Sequence, residues 1–171
     1  MHLEGTHVLQ ASPAVIWGML MDPDTLAKVT PAISSLEQIE EGKFNAISEV
    51  KIGPVKGNFK GSLEVVNPVE PEKFTLLIKQ KSKIGNVSAE GTISLHPKEK
   101  NVTEVEFAGD AKLSGTIART SQRLVNGVAK TLTNQFFEAL EVEIEQHKGN
   151  EPESKSLWAR IVEFFKNLFG N

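Results

Sequence analysis

The sequence predicts an α+β domain in which a curved antiparallel sheet wraps around one long helix near the carboxyl end. Residues 34–113 alternate between apolar and polar positions and are divided by turn residues, which indicates a meander of about six strands. After Ser114-Gly115, apolar residues recur every three or four positions, which indicates a single helix of roughly 30 residues. A sheet followed by one long amphipathic helix is typical of an α+β fold.

The first third of the chain adds one strand and two short helices. The first ten residues alternate in the manner of a strand. Ser12 followed by Pro13 predicts a helix N-cap with proline at the first helical position. Asp22-Pro23 predicts a second short helix, which Pro31 ends.

We divide the chain into a ligand-binding domain (1–147), a linker (148–153) and an amphipathic tail helix (154–171). The linker is predicted because glycine and proline interrupt the helical pattern there. Ser154 or Ser156 can cap the tail helix.

Composition excludes several kinds of function. The chain of 171 residues has no cysteine, so disulfides, thiolate nucleophiles and cysteine-bound metals are excluded, and its four scattered histidines predict no metal site. A net charge of −3 without tyrosine or a basic stripe argues against nucleic acid as a partner. No apolar stretch approaches the roughly 20 residues of a spanning helix. The run at 14–21 lacks the basic residue that precedes the core of a signal peptide, so we expect a cytoplasmic protein.

Small residues in the middle of two predicted strands suggest a cavity under the long helix. Ala89 and Gly91 on one strand, with Gly109 and Ala111 on the next, leave space that a close-packed interior does not normally contain. The alternative is that the glycines mark bends in the sheet and that neighbouring side chains fill the gap. The residues that we expect to contact an apolar ligand are His7, Phe59, Leu63, Leu76, Ile78, Ala89, Gly91, Ile93, Phe107, Gly109, Leu124, Val128, Leu132 and Phe136.

The sequence predicts no catalytic residues. His7 shares a strand face with Leu3 and Leu9, so it is either a hydrogen-bonded structural residue, which is the commoner case, or a general base in the cavity. Glu104 and Glu106 alternate with apolar neighbours and are expected to face solvent, so they do not indicate a catalytic carboxylate pair.

The most specific local motif is Gly53-Pro54-Val55-Lys56-Gly57-Asn58-Phe59-Lys60-Gly61. Supporting residues stand at Asp22-Pro23, Leu26 and Pro31 before it and at Gln135-Phe136-Phe137 after it. In these positions the chain resembles the CoxG family, the G-subunit proteins of carbon monoxide dehydrogenase, within the Bet v 1-like and START-like (SRPBCC) superfamily. The resemblance covers about residues 1–146.

The resemblance implies a helix-grip fold, in which a seven-stranded antiparallel sheet holds the long helix around a hydrophobic cavity. Members of the family accompany molybdenum hydroxylases such as carbon monoxide dehydrogenase and are associated with recruiting them to the membrane, where electrons pass to quinone. A quinone or lipid ligand is therefore implied, with no cofactor required. Ala32 departs from the family pattern, which commonly has glycine after the proline at this point.

The tail residues form an amphipathic helix that predicts binding to a membrane surface. At 100° per residue, its large apolar side chains occupy an uninterrupted arc of about 160°. Residues 154–171 carry three basic and one acidic residue, a net charge of +2, which suits the anionic inner face of the cell membrane. The alternative is that this helix packs on its own domain or on a protein partner. The expected membrane-binding residues are Leu157, Trp158, Ile161, Val162, Phe164, Phe165, Leu168 and Phe169.

Three functions are consistent with these patterns. The leading hypothesis is a non-catalytic carrier or adaptor, peripheral on the inner face of the cell membrane, that binds a quinone or lipid and serves a molybdenum hydroxylase. The second is a pure membrane tether with a vestigial cavity. The third is a small cyclase or hydrolase that uses His7.

Overall fold

A computed structural model describes the backbone of residues 1–169 and the side chains of residues 1–148. In chain order the elements are β1 (His2–Leu9), α1 (Pro13–Leu20), α2 (Pro23–Val29), β2 (Ile33–Glu40), β3 (Lys43–Ile52), β4 (Val55–Val69), β5 (Lys73–Ser82), β6 (Gly85–Pro97), β7 (Thr103–Ser114), α3 (Thr116–Arg119) and α4 (Gln122–Phe169).

The seven strands form one antiparallel sheet in the order β1-β7-β6-β5-β4-β3-β2. The strands β2 to β7 are the six-stranded meander expected from the turn residues. The first strand pairs with the last, with Leu3 opposite Gly109 and His7 opposite Val105. The predicted α+β class and the seven-stranded sheet with a long C-terminal helix are confirmed.

Both short helices begin at the predicted caps. The Ser12 hydroxyl accepts a hydrogen bond from the Val15 backbone N–H at 3.3 Å, and the Asp22 carboxylate accepts one from the Thr25 N–H at 3.2 Å. Each cap satisfies a backbone donor that the first helical turn leaves unpaired, and each is followed by a proline that needs no such partner.

Two boundaries differ from the sequence prediction. Ile117 lies on a separate short helix, α3. The backbone at Thr120 is extended, so α3 ends there and α4 begins after it. The backbone of α4 also continues through residues 148–153, where we predicted a linker. The glutamate and lysine residues on either side of the proline in this segment favour helix formation. The treatment of the tail as a separate unit stays a prediction, and its side chains lie outside the described residues.

Helix α4 packs against the sheet through two distinct groups of buried side chains. The "first cluster" contains Phe137, Leu140 and Ile144 of α4, and the "second cluster" contains Val128 of α4. About 14 Å of helix separates Val128 from Phe137. The first cluster is completed by Leu9, Ala11, Ile16, Trp17, Met19, Leu20, Val29, Phe74, Leu95 and Val105, and the second by Val50, Val55, Phe59 and Ile117.

Between these clusters the sheet brings two glycines into direct register. Gly91 on β6 pairs with Gly109 on β7. A Cβ atom added at Gly109 would lie 2.8 Å from the Glu90 carbonyl oxygen and 2.9 Å from the Gly91 Cα, which is too close for real atoms. A Cβ added at Gly91 would meet the Ala108 carbonyl oxygen at 3.5 Å, an ordinary contact. The close approach of the two strands therefore requires glycine at position 109 and permits a side chain at position 91.

We expect Gly109→Ala to destabilise the protein by about 1–3 kcal/mol, because backbone atoms must move to make room for the methyl group. Gly91→Ala is the matched control and should change the free energy of unfolding far less. Urea denaturation of both variants measures the difference. Equal losses in the two variants would contradict this account of the sheet.

Removal of residues 150–171 should leave the melting temperature within a few degrees of that of the full chain. The reason is that Ile144 is the last member of either cluster among the described side chains. A longer truncation that also removes Leu140 and Ile144 is the control, and it should unfold the domain. Thermal denaturation followed by circular dichroism measures both, and a large loss from the shorter truncation would show that the tail packs on the domain.

Candidate ligand-binding cavity

A cavity of about 200 Å³, partly open to solvent, lies over the middle of the sheet between the two clusters. Its walls come from β1, β5, β6 and β7, and the inward-facing side chains among them are all apolar. The lining residues are Met1, Leu3, Leu76, Ile78, Ala89, Glu90, Gly91, Thr92, Ile93, Phe107, Ala108, Gly109, Asp110 and Ala111.

Half of the residues predicted to contact the ligand are brought together in this lining. They all belong to the three strands β5, β6 and β7. Strand alternation identified them, because every second residue of a strand faces the same side of the sheet. These residues are Leu76, Ile78, Ala89, Gly91, Ile93, Phe107 and Gly109.

The structure places the other selected residues outside the lining. Phe59 and Val128 are buried in the second cluster, with Leu132 packed against it, and Phe136 packs against the first cluster. Leu124 is 50% exposed on the first turn of α4. None of the four residues predicted on α4 is in the lining, because the helix contacts the sheet through the two clusters on either side of the cavity. Their contact with a bound ligand stays a prediction.

Leu63 is half-buried on β4, with Phe44 and Ile78 as its partners on the two neighbouring strands. His7 also lies outside the lining. Its ring stacks on Phe137 with centroids 4.5 Å apart, and its Nε2 is hydrogen-bonded to the Glu141 carboxylate. These contacts attach β1 to α4, so His7 serves a structural role in this arrangement.

Aromatic rings form the wall between the cavity and the first cluster. Phe107 lines the cavity and lies 5.6 Å from Phe137 between ring centroids. Gly5 makes room for this ring, since a Cβ at that position would lie 2.8 Å from the Phe107 ζ carbon. The wall is therefore built by residues from β1, β7 and α4.

Polar and charged side chains join the edge strand β1 to β7 next to the cavity. His2 is hydrogen-bonded to Glu4 at 3.1 Å and to Asp110, a lining residue, at 2.8 Å. The hydrogen bonds to Glu4 and then to Asp110 raise the pKa of His2 above its ordinary value of 6.5. The hydrogen bond between His2 and Asp110 links β1 to β7 at the side of the cavity.

Four apolar lining residues were not among the predicted ligand contacts, namely Met1, Leu3, Ala108 and Ala111. Leu3 was placed on the inward face by alternation, and Ala111 was recognised as a small mid-strand residue. What the sequence lacked was the pairing of the first strand with the last, which sets Leu3 beside Gly109. That pairing joins residues more than a hundred positions apart.

Within the described residues, no group of three or more histidine or acidic side chains has an arrangement that could hold a metal ion. None of the helices in that part of the chain combines the length and the hydropathy needed to cross a membrane.

Comparisons with known proteins agree with this architecture. The family of the carbon monoxide dehydrogenase G subunit (CoxG) matches residues 5–145. No match was found among curated proteins.

Solved structures share the fold. A conserved protein from Geobacillus kaustophilus is 33% identical, with a TM-score of 0.83 over 86% of this chain and 97% of that one. A START superfamily protein from Mycobacterium smegmatis is 17% identical, with a TM-score of 0.69 over 85% of this chain and 97% of the other. The Zhui aromatase/cyclase from Streptomyces sp. R1128 is 14% identical, with a TM-score of 0.67 over 86% and 94% of the two chains. The family match over residues 5–145 establishes that the chain belongs to the CoxG family, that of the carbon monoxide dehydrogenase G subunit.

Proposed function

We propose that this protein is a non-catalytic carrier that binds a hydrophobic ligand, a quinone or a lipid, in the cavity over the middle of its sheet. Through its tail it associates with the inner face of the cell membrane. There it serves or recruits a molybdenum hydroxylase of the carbon monoxide dehydrogenase kind.

The observation that carries this proposal is the cavity itself. Its volume is about 200 Å³ and its inward-facing side chains are apolar. Protein interiors are normally filled to crystal density, and apolar cavities of roughly 150 Å³ accept small aromatic molecules. The space can hold a ring or a short run of an isoprenoid or acyl chain, and because it is partly open, the rest of a longer ligand can extend beyond it.

Two further observations support the adaptor role. The family takes its name from a subunit of carbon monoxide dehydrogenase, which supports an enzyme of that kind as the partner. Residues 154–171 combine an apolar helical arc with a net charge of +2, which supports association with an anionic membrane surface.

The surroundings of His7 argue against the cyclase or hydrolase alternative. Its Nε2 is engaged by Glu141 and its ring is covered on one side by Phe137, so it does not face the cavity. A general base has to reach the reacting atoms of its substrate directly or through one water molecule.

The direct test is to extract the purified full chain with organic solvent and to identify the extracted molecules by mass spectrometry. A stoichiometric isoprenoid quinone or lipid is the expected result. A protein that carries none, and that binds none when quinone or lipid is supplied, would favour the tether without a working cavity.

Ala89→Phe should lower the amount of bound ligand several-fold while the domain stays folded, because the phenyl ring fills space that is empty in the cavity. Ser88→Phe is the matched control, since Ser88 is the exposed neighbour on the opposite face of β6. Mass spectrometry of the extracts and melting temperatures measure both effects. Severe unfolding of Ala89→Phe would instead indicate an ordinary filled core, and unchanged occupancy would place the ligand elsewhere.

The tail should bind vesicles that contain anionic lipids, and the double substitution Phe164→Glu with Phe165→Glu should abolish this binding. Both changes put a charge into an apolar arc that would otherwise be buried about 5–10 Å deep in the interface. Ser156→Glu with Asn167→Glu adds the same charge on the polar side of the predicted helix and is the control. It should weaken binding only through electrostatics, an effect that salt screens.

Co-sedimentation with vesicles measures all three proteins. Equal losses in the two double variants would show that the tail is held by charge alone. Failure of the unmodified chain to bind would favour a helix that docks on a protein.

A further inference from the structure

Gln80 is a buried glutamine whose side-chain amide forms no hydrogen bond. It is 8% exposed, and neither its Nε2 nor its Oε1 has a partner among the described residues. Thr103, the other buried polar residue of the described part, donates a hydrogen bond to the Ala11 carbonyl oxygen at 2.7 Å. Gln80 is therefore the residue of the described part in which both polar atoms of a buried side chain lack a partner; Asn126 lacks one for its side-chain oxygen.

The position of Gln80 relates it to the cavity. It follows Leu76 and Ile78 on the same face of β5, and both of those residues line the cavity. Its partner on β6 is Val87, two residues from the lining residue Ala89. Neighbouring positions on one strand face lie about 7 Å apart, which a glutamine side chain can span.

The neighbouring strand β4 has no side chain at the position that pairs with Gln80. Its partner on β4 is Gly61, the last glycine of the nine-residue motif, and Gly61 in turn pairs with Ala46 on β3. A Cβ atom at Gly61 would lie 1.8 Å from the Lys79 carbonyl oxygen, so only glycine fits there. The motif thus provides the close strand approach beside Gln80, and no side chain from Gly61 is available to bond its amide.

A buried amide without a partner destabilises a fold, and an apolar residue of similar size would avoid that penalty. We propose that Gln80 binds the oxygen-bearing end of the ligand, a carbonyl or hydroxyl group, and so selects an apolar chain that carries such a group over a plain hydrocarbon. Nε2 donates to a carbonyl oxygen, and Oε1 accepts from a hydroxyl. Rotation about the side-chain bonds of Gln80 turns the amide toward the cavity when the ligand enters.

This inference rests on the proposed function and adds the orientation of the ligand. The polar end lies at the Ile78 and Ala89 side of the cavity, next to Gln80. The apolar remainder lies toward Leu3, Gly91 and Gly109, where the lining formed by the described residues offers no unpaired side-chain donor facing inward.

The test compares two probes of equal chain length, heptan-2-one and heptane, by calorimetric titration of the ligand-stripped full chain. Gln80→Leu should lower the affinity for the ketone roughly fivefold to tenfold, the contribution of one hydrogen bond, and should leave the affinity for heptane unchanged or higher. Gln80→Met, which preserves the length of the side chain, should behave in the same way. The melting temperature of both variants should equal or exceed that of the unmodified chain.

Asn126→Leu is the matched control, since Asn126 on α4 also has a buried side-chain oxygen without a partner among the described residues. It should leave the preference for the ketone intact. The proposal is overturned if the affinities for ketone and heptane fall together, if both Gln80 variants are destabilised, or if Asn126→Leu causes the same loss as Gln80→Leu. If the unmodified chain binds neither probe, the carrier function itself is wrong, whereas equal binding of the two probes contradicts only the role of Gln80.

Discussion

The arrangement of the domain depends on the way in which α4 meets the sheet at two separated places. Phe137, Leu140 and Ile144 enter the first cluster, and Val128 enters the second. A straight helix that crosses a curved sheet can contact the sheet at two separated places and leave the part of the sheet between them uncovered. Burial of these large side chains supplies the main stabilisation of the helix, at roughly 1.5–3 kcal/mol for each fully buried residue. The cavity is the space that remains between the two anchoring groups.

One of the glycines that line the cavity is required by the pairing of β6 with β7. Gly109 is required by the close approach of β6 and β7 and not by the cavity, because even a methyl group would collide with the backbone of Glu90. Ala89, Gly91 and Ala111 have a small side chain or none, so little side-chain volume projects into the cavity where β6 and β7 pair. Gly109 therefore meets a requirement of the sheet, but the neighbouring side chains do not fill the gap beside it, because a cavity of about 200 Å³ remains there.

Several polar side chains hold the fold, whereas Gln80 and Asn126 have buried atoms without a hydrogen-bond partner among the described residues. Ser12 and Asp22 cap helices, Thr103 ties the start of β7 to the Ala11 carbonyl, and His7 joins β1 to α4. Gln80 contributes no such bond. A buried amide without a partner lowers the stability of a fold, and this cost is the reason for which we infer that Gln80 acts on the ligand.

Local periodicity in the sequence determined the strands of the meander, the two capped helices and the long helix, since alternation and capping depend on residues close together in the chain. It also identified seven of the lining residues of β5 to β7. The tertiary structure alone decided that Leu3 meets Gly109, that Leu124 is exposed and that His7 turns to Glu141. It also placed Ala32 at a φ of 63°, a backbone conformation that favours glycine. These outcomes depend on pairing and packing between segments far apart in the chain. A period of two or 3.6 residues shows which residues share a face of a strand or helix, but it carries no information about which distant segment that face contacts.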